Sequence, residues 1–232
     1  NKIQEGRFGF LPKYLDFYFN HSLQKSKKIK HHYLITTTNG YFFKFGSKQD
    51  EFPFLNAMSS VLDTTVQNIK NIVKDTLIKD KHDLIFTALN NGDIKTQFGT
   101  KDNFIKYIES NNFLDFDIMN HILSIPKILS TFGLNIVIFN KITRTVVKNL
   151  EKEKVKEDFI PICQNIEEKN NINDPNKETI FILKENKNYY PIVLVKKEDE
   201  NTKNVTIIKK FKYTSNKSDI VNHIKDYYTK NC

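Results

Sequence analysis

The chain has 232 residues, 39% of them hydrophobic and 12% aromatic, with 19 Phe, 10 Tyr and no Trp; that much apolar matter excludes a chain too polar to bury a core. It contains no run of eighteen apolar residues, which excludes a membrane-spanning helix, and its two cysteines, Cys163 and Cys232, exclude a disulfide framework and any four-cysteine zinc site. The net charge of +9 rests on 36 basic residues, of which only Arg7 and Arg144 are Arg; readers of phosphate and base edges lean on the planar guanidinium, so most of this charge reads as solvated Lys surface.

The abundance of Lys, Asn, Ile and Phe together is what an A/T-rich genome encodes. Unpaired cysteines fit a reducing, intracellular setting. The sequence opens without Met and without a charged-then-apolar leader, and a piece of a longer protein is expected.

In chain order, GRFGFLPKYLDFYFN reads as a turn followed by a short aromatic helix over 12–20, with Pro12 at its start. A basic loop, KSKKIKHH, follows over 25–32. The run 33–38, the pair Asn39-Gly40 and the run 41–45 read as a hairpin, because Asn-Gly accepts the positive φ of a tight turn between β-branched and aromatic residues. Pro53 suits the first turn of a helix reaching Leu62. Thr64 or Thr65 then caps a helix carrying Val66, Ile69, Ile72, Val73 and Leu77 at helical spacing. Further helices are expected over 82–89, ended by Asn91-Gly92, and over 103–110 and 116–125, the last stopping before Pro126.

From Gly133 the pattern changes. The run 134–139 is continuous and apolar, as in a strand buried on both faces, and 143–150 is expected to pair with it. A charged stretch over 151–158 precedes FIPIC. The polar, Asn-rich segment 164–177 reads as a long mobile loop. Runs over 179–185, 189–197 and 205–211 make three strands in meander order, and a helix over 218–228 closes the chain. One α+β domain over 1–232 is expected, with residues 1–40 as an N-terminal arm and hairpin start, and a helical first half packed on a mainly antiparallel sheet from the second half.

Reactive chemistry is sparse. The six His show no metal-ligand spacing, so no metal and no cofactor is expected. Phosphate-binding glycine loops and the G-x-S-x-G elbow are both missing. Cys163 has no His within forty residues in sequence and reads as a buried thiol. Two basic clusters are candidates for nucleic-acid binding: Lys25, Lys27, Lys28, Lys30, His31 and His32 beside Tyr33, and Lys209, Lys210 and Lys212 around Phe211. Cations beside aromatic rings suit backbone contact with base stacking.

Two resemblances bear on function. DEFPFLNAMSSVL resembles the nucleophile segment of the ovarian-tumour (OTU) class of papain-like cysteine proteases, in which an Asp, two residues, Cys, Leu, Phe and a small residue open a helix. Asp50 matches the Asp and Pro53 stands at the Cys position. GLNIVIF resembles that family's central strand. NKNYYPIVLV resembles the strand that begins with the catalytic His, where this chain has Tyr189. What this resemblance implies is a degenerate protease scaffold, since Pro offers no nucleophile and a phenol is a poor base at neutral pH. The second resemblance covers most of the chain: GRFGFLPKYLDFYF, FKFGSKQDEFPFLNA, LNNGDIKTQF, FGLNIVIFNK and ETIFILKENKNYYPIV are similar, in that order, to segments of large proteins of mimivirus-type giant DNA viruses. Those proteins look related to the early transcription factor large subunit of poxvirus-like viruses. It implies a non-catalytic module in a viral protein of the virion or the host cytoplasm, docking on other viral proteins such as an RNA polymerase or a transcription-factor subunit, on DNA, or on ubiquitin, with no membrane partner. The alternatives are a nucleic-acid-binding domain using the Lys-rich loops, and an active deubiquitinase with a rearranged site.

Overall fold

Alternation along the strands builds a sheet that is buried on both faces. The computed structural model describes residues 2–21, 40–110, 114–147, 153–162, 174–198, 204–214 and 219–231. The strands are β1 (Phe8–Phe10), β2 (Tyr41–Phe45), β3 (Leu134–Val147), β4 (Glu153–Pro161), β5 (Glu178–Glu185), β6 (Asn188–Lys197), β7 (Val205–Ile208) and β8 (Phe211–Lys212). They form one sheet in the order β1-β2-β6-β5-β3-β4, with β7 added to β6 and β8 to β5. Among the described residues only the β3–β5 pairing is parallel; the other pairings are antiparallel.

On one face, Ile136, Ile138, Ile180, Ile182 and Tyr189 pack under helices α2 (Pro53–Leu62), α3 (Val66–Lys79), α4 (Leu84–Ala88), α5 (Asp93–Phe98), α6 (Lys101–Glu109) and α7 (Phe116–Ser124). On the other, Val137, Phe139, Phe181, Leu183 and Tyr190 meet α1 (Lys13–Asp16), a π-helical turn over Phe17–His21, and α8 (Ile220–Asn231) through Leu15, Phe19, Val221 and Ile224. Neighbouring residues on a strand point to opposite faces, so the unbroken apolar runs of β3 and β5 serve both layers. The fold is α+β.

Local signals explain the helix ends. Thr65 accepts the Asn68 N–H at 3.1 Å and starts α3. Asp63, in the left-handed region at φ 51°, stops α2. Gly133 (φ +85°) turns the chain into β3 where an added Cβ would sit 2.5 Å from the Ser124 carbonyl oxygen. Gly133→Ala is therefore expected to cost about 2 kcal/mol, the left-handed penalty plus the collision, read from urea unfolding of the two chains.

Several expectations are corrected by the structure. GRFGF is not merely a turn: Phe8–Phe10 is a strand paired with β2, Phe8 opposite Phe45 and Phe10 opposite Phe43. The second half supplies most of the sheet, as expected, and the first half adds β2 and, beyond the expectation, β1 at its edge. Residues 143–147 do not fold back on the apolar run but prolong it as β3, since no turn residue interrupts them, and the charged stretch after them forms β4. The meander holds for β5, β6 and β7, whereas β8 returns to pair with β5. The helix over 82–89 is shorter, Leu84–Ala88, with Leu89–Gly92 as a 3-10 turn and α5 following it unannounced. The run 33–38, most of the loop 164–177, and Cys163 and Cys232 lie outside the described residues.

Candidate functional site

The first turn of α2 meets the first residues of β6, and the segment between β2 and α2 ties them together. At Tyr189 the strand β6 has run beyond β2, whose pairing reaches only Ile192. The free edge of Tyr189 is completed by side chains instead: its carbonyl accepts from Ser47 Oγ and Gln49 Nε2, both at 2.8 Å, and its N–H donates to Gln49 Oε1 at 3.1 Å. A buried backbone pair left open there would cost as much as lost hydrogen bonds, so Ser47 and Gln49 act as a strand substitute.

Asp50 braces the start of α2. Its carboxylate accepts the Phe52 N–H at 3.1 Å, Asn56 Nδ2 at 2.5 Å and Lys48 Nζ at 2.7 Å. Burial raises its pKa, but the bonds from Lys48, Phe52 and Asn56 and the charge of Lys48 outweigh burial and hold the group below the ordinary carboxylate range. Pro53 occupies the first helical position, where its missing N–H costs nothing, and is buried. Phe54 follows, its ring 5.4 Å from that of Tyr189 and 5.6 Å from that of Phe116, both edge-on.

Tyr189 is wholly buried. Its hydroxyl donates to Asp115 Oδ1; the same carboxylate accepts the Phe116 N–H at 2.8 Å, capping α7, and lies 3.5 Å from Lys184 Nζ. Lys184 also stands 5.0 Å from the centre of the Tyr189 ring. Burial first, and then the bond to Asp115, pushes the phenol well above its ordinary value, so at neutral pH it keeps its proton and donates. Tyr189→Phe removes a hydrogen bond to a carboxylate, a loss of about 2 kcal/mol, and is expected to appear as a lower urea midpoint with unchanged slope.

The structure thus brings Asp50, Pro53 and Tyr189 to one junction. Sequence reasoning missed Ser47, Gln49, Asp115 and Lys184. Asp115 was visible as a helix cap ahead of an apolar run, but its bond to Tyr189 comes from 74 residues away and leaves no local mark. Chemically the junction is a hydrogen-bonded clamp. Ser47 Oγ is buried and spends its proton on the Tyr189 carbonyl. Two His side chains are engaged elsewhere: His121 Nδ1 accepts the Asn90 N–H at 2.8 Å, and His223 stacks on Tyr18 at 4.2 Å. Beside α2 a cleft of about 320 Å³ is lined by Glu5, Lys48, Asn56, Ser59, Ser60 and Thr64, with the Ser59 and Ser60 hydroxyls donating to the carbonyls of Asn56 and Ala57. Among the described residues no group of three or more His, Cys, Asp and Glu is placed to hold a metal ion, and no helix is long and apolar enough to cross a membrane.

The two basic clusters fare differently. Lys209 donates to the Ser60 carbonyl at 2.8 Å and to Asp63 at 2.5 Å, a cation at the C-terminal end of α2 where the helix dipole favours it. Lys210 pairs with Glu178 at 2.8 Å, and Lys212 is exposed opposite Glu178 on β8. Lys25, Lys27, Lys28, Lys30, His31 and His32 lie outside the described residues.

No family model matches the chain, and no solved structure matches it. It is similar to an uncharacterized protein of Acanthamoeba polyphaga mimivirus, 51% identical over all 232 residues. The chain spans 15% of the length of that relative.

Proposed function

We propose that this giant-virus chain is a non-catalytic binding or assembly module built on a degenerate papain-like scaffold. The observation that carries the reading is the junction of α2 with β6: where a thiol protease would keep a nucleophile and an imidazole, Pro53 is buried and Tyr189 is sealed under Phe54 with its phenol given to Asp115. A catalytic dyad needs a nucleophile and a base within hydrogen-bond reach of each other and of solvent-borne substrate, and this junction offers substrate neither. The packing of α2 against β6, in the order the OTU resemblance implies, supports the scaffold half of the reading. The partners that fit such a module are other parts of the viral machinery, an RNA polymerase or a transcription-factor subunit among them, and ubiquitin bound without cleavage.

Incubation with diubiquitin should leave it intact after prolonged exposure, and cleavage to monoubiquitin would end the non-catalytic reading. Titration of isotopically labelled ubiquitin, followed by NMR, tests one partner: saturable shifts around one patch mark ubiquitin as a ligand, and an unchanged spectrum removes ubiquitin from the partners.

A further inference from the structure

The cleft beside α2, about 320 Å³ in volume, has the size of a small-ligand site. One wall is the turn at Glu5 and Gly6 with the end of β2 at Phe45 and Gly46. The Gly6 N–H donates to the Gly46 carbonyl at 2.9 Å and the Gly46 N–H to the Arg7 carbonyl at 2.8 Å, which fixes that wall. The other wall is one side of α2, where Asn56, Ser59 and Ser60 lie at helical spacing.

The polar groups of the cleft are turned to accept. Ser59 and Ser60 donate their hydroxyl protons to the carbonyls of Asn56 and Ala57, at 2.9 and 2.8 Å, and Ser47 donates its own to the Tyr189 carbonyl. Such hydroxyls keep lone pairs for a ligand and no proton. Only the Thr64 hydroxyl, which accepts from Asn68 Nδ2 at 2.8 Å, has no acceptor for its proton among the described lining residues. Asn56 is the sharper signal. Its side chain is 9% exposed, and its Nδ2 donates to Asp50. A carboxylate accepts only, so that bond sets the orientation of the amide and turns Oδ1 away from Asp50. Among the described residues Oδ1 accepts no hydrogen bond, and it is not sealed into the core.

Charge agrees with this. Glu5 and Asp50 both act on Lys48, which bridges Asp50 at 2.7 Å, and two carboxylates against one ammonium leave one negative charge at the mouth. Lys209, beyond Phe45, is engaged by Asp63 and by the Ser60 carbonyl.

We propose that this cleft receives the guanidinium of an arginine side chain from a partner polypeptide. A guanidinium is donor-only, with five N–H groups in a planar fork, and so matches an acceptor-lined site with one surplus negative charge. Its flat face suits the Phe45 ring in the wall. A carboxylate or phosphate would set acceptors against acceptors, and a compact ammonium reaches fewer separated oxygens than the fork does. The inference gives the binding-module reading a partner chemistry; it rests on that reading only in that the module binds protein, and it makes no use of the protease-like scaffold.

The test is titration of the isotopically labelled 232-residue chain with N-acetylarginine amide, followed by NMR at the amides of Gly6, Gly46 and Ser59. Saturable shifts at those positions are expected, with a midpoint on the order of 1 mM for a ligand of this size. N-acetylcitrulline amide has the same shape without the charge and should bind at least about tenfold more weakly. Glu5→Gln, at an exposed position, should weaken the arginine compound roughly threefold, the modest effect of an exposed charge. Ser59→Leu fills the cleft and should abolish the shifts; a circular-dichroism melt checks that it folds, and Glu5→Gln carries the test if it does not. No saturation by about 20 mM, equal binding of the citrulline compound, tighter binding of N-acetylaspartate amide, or undiminished binding in the folded variants would each overturn the assignment. None of these results bears on the diubiquitin assay, so failure of the cleft and failure of the non-catalytic reading are told apart.

Discussion

Phe54→Ala should lower the unfolding free energy by about 3–5 kcal/mol, the range for truncating a fully buried ring. Phe54 has no exposed surface, and its edge-on contacts with Phe116 and Tyr189 join three elements: α2, α7 and β6. The loss has two parts, the apolar area returned to water and the cavity that α2 cannot fill, because Pro53 and Asp50 fix its first turn. In a domain of this size each kcal/mol moves the melting midpoint by roughly 2–4 °C, so a drop of roughly 6–20 °C is expected. Phe54→Leu keeps most of the volume and should cost less than half as much. Urea unfolding of both variants decides the matter: a loss below about 1 kcal/mol for Phe54→Ala would mean that the helical layer does not seat on β6 through this ring.

The second large effect is expected on the opposite face, at Asn20. Its side chain is nearly buried and serves β2 as a one-residue strand partner, accepting the Phe42 N–H at 2.7 Å and donating to the Phe42 carbonyl at 3.2 Å, while also donating to Asp16 at 2.9 Å. Asn20→Ala leaves both backbone groups of Phe42 without that partner inside the core, at about 1–3 kcal/mol for each unsatisfied group and about 2–6 kcal/mol together. Amide hydrogen exchange at Phe42 offers a local readout: it should accelerate in the variant far more than the amides of β3 and β5. An unchanged rate at Phe42 would show that the amide does not take the place of a strand.

Much of this architecture was legible because its determinants are local. Pro53 at the first helical position, Thr65 as a cap and the stop before Pro126 each act within one turn, and the helices they bound were placed to within a few residues. The apolar runs of β3, β5 and β6 were legible for a similar reason, since burial on both faces leaves no alternation to mistake. What escaped depends on distant partners. Phe8–Phe10 is a strand only because β2 lies beside it, and three residues after a glycine carry no periodicity. The continuation of β3 through Thr143–Val147 was misjudged because the charged run after it, which pairs with it as β4, did not look like a strand. At the junction, Asp50, Pro53 and Tyr189 were singled out through a resemblance. Their companions Ser47, Gln49 and Asp115 were not, because a Ser, a Gln and a capping Asp look ordinary until a bare strand edge and a buried phenol need them.

The most direct measurement on the non-catalytic reading uses ubiquitin carrying a thiol-reactive electrophile at its C-terminus, with adducts read by intact mass. A junction closed by an imino ring and a donating phenol predicts unmodified chain at every time point. A single ubiquitin adduct that maps to Cys163 and disappears in Cys163→Ala would contradict it, placing a working nucleophile where none is assigned.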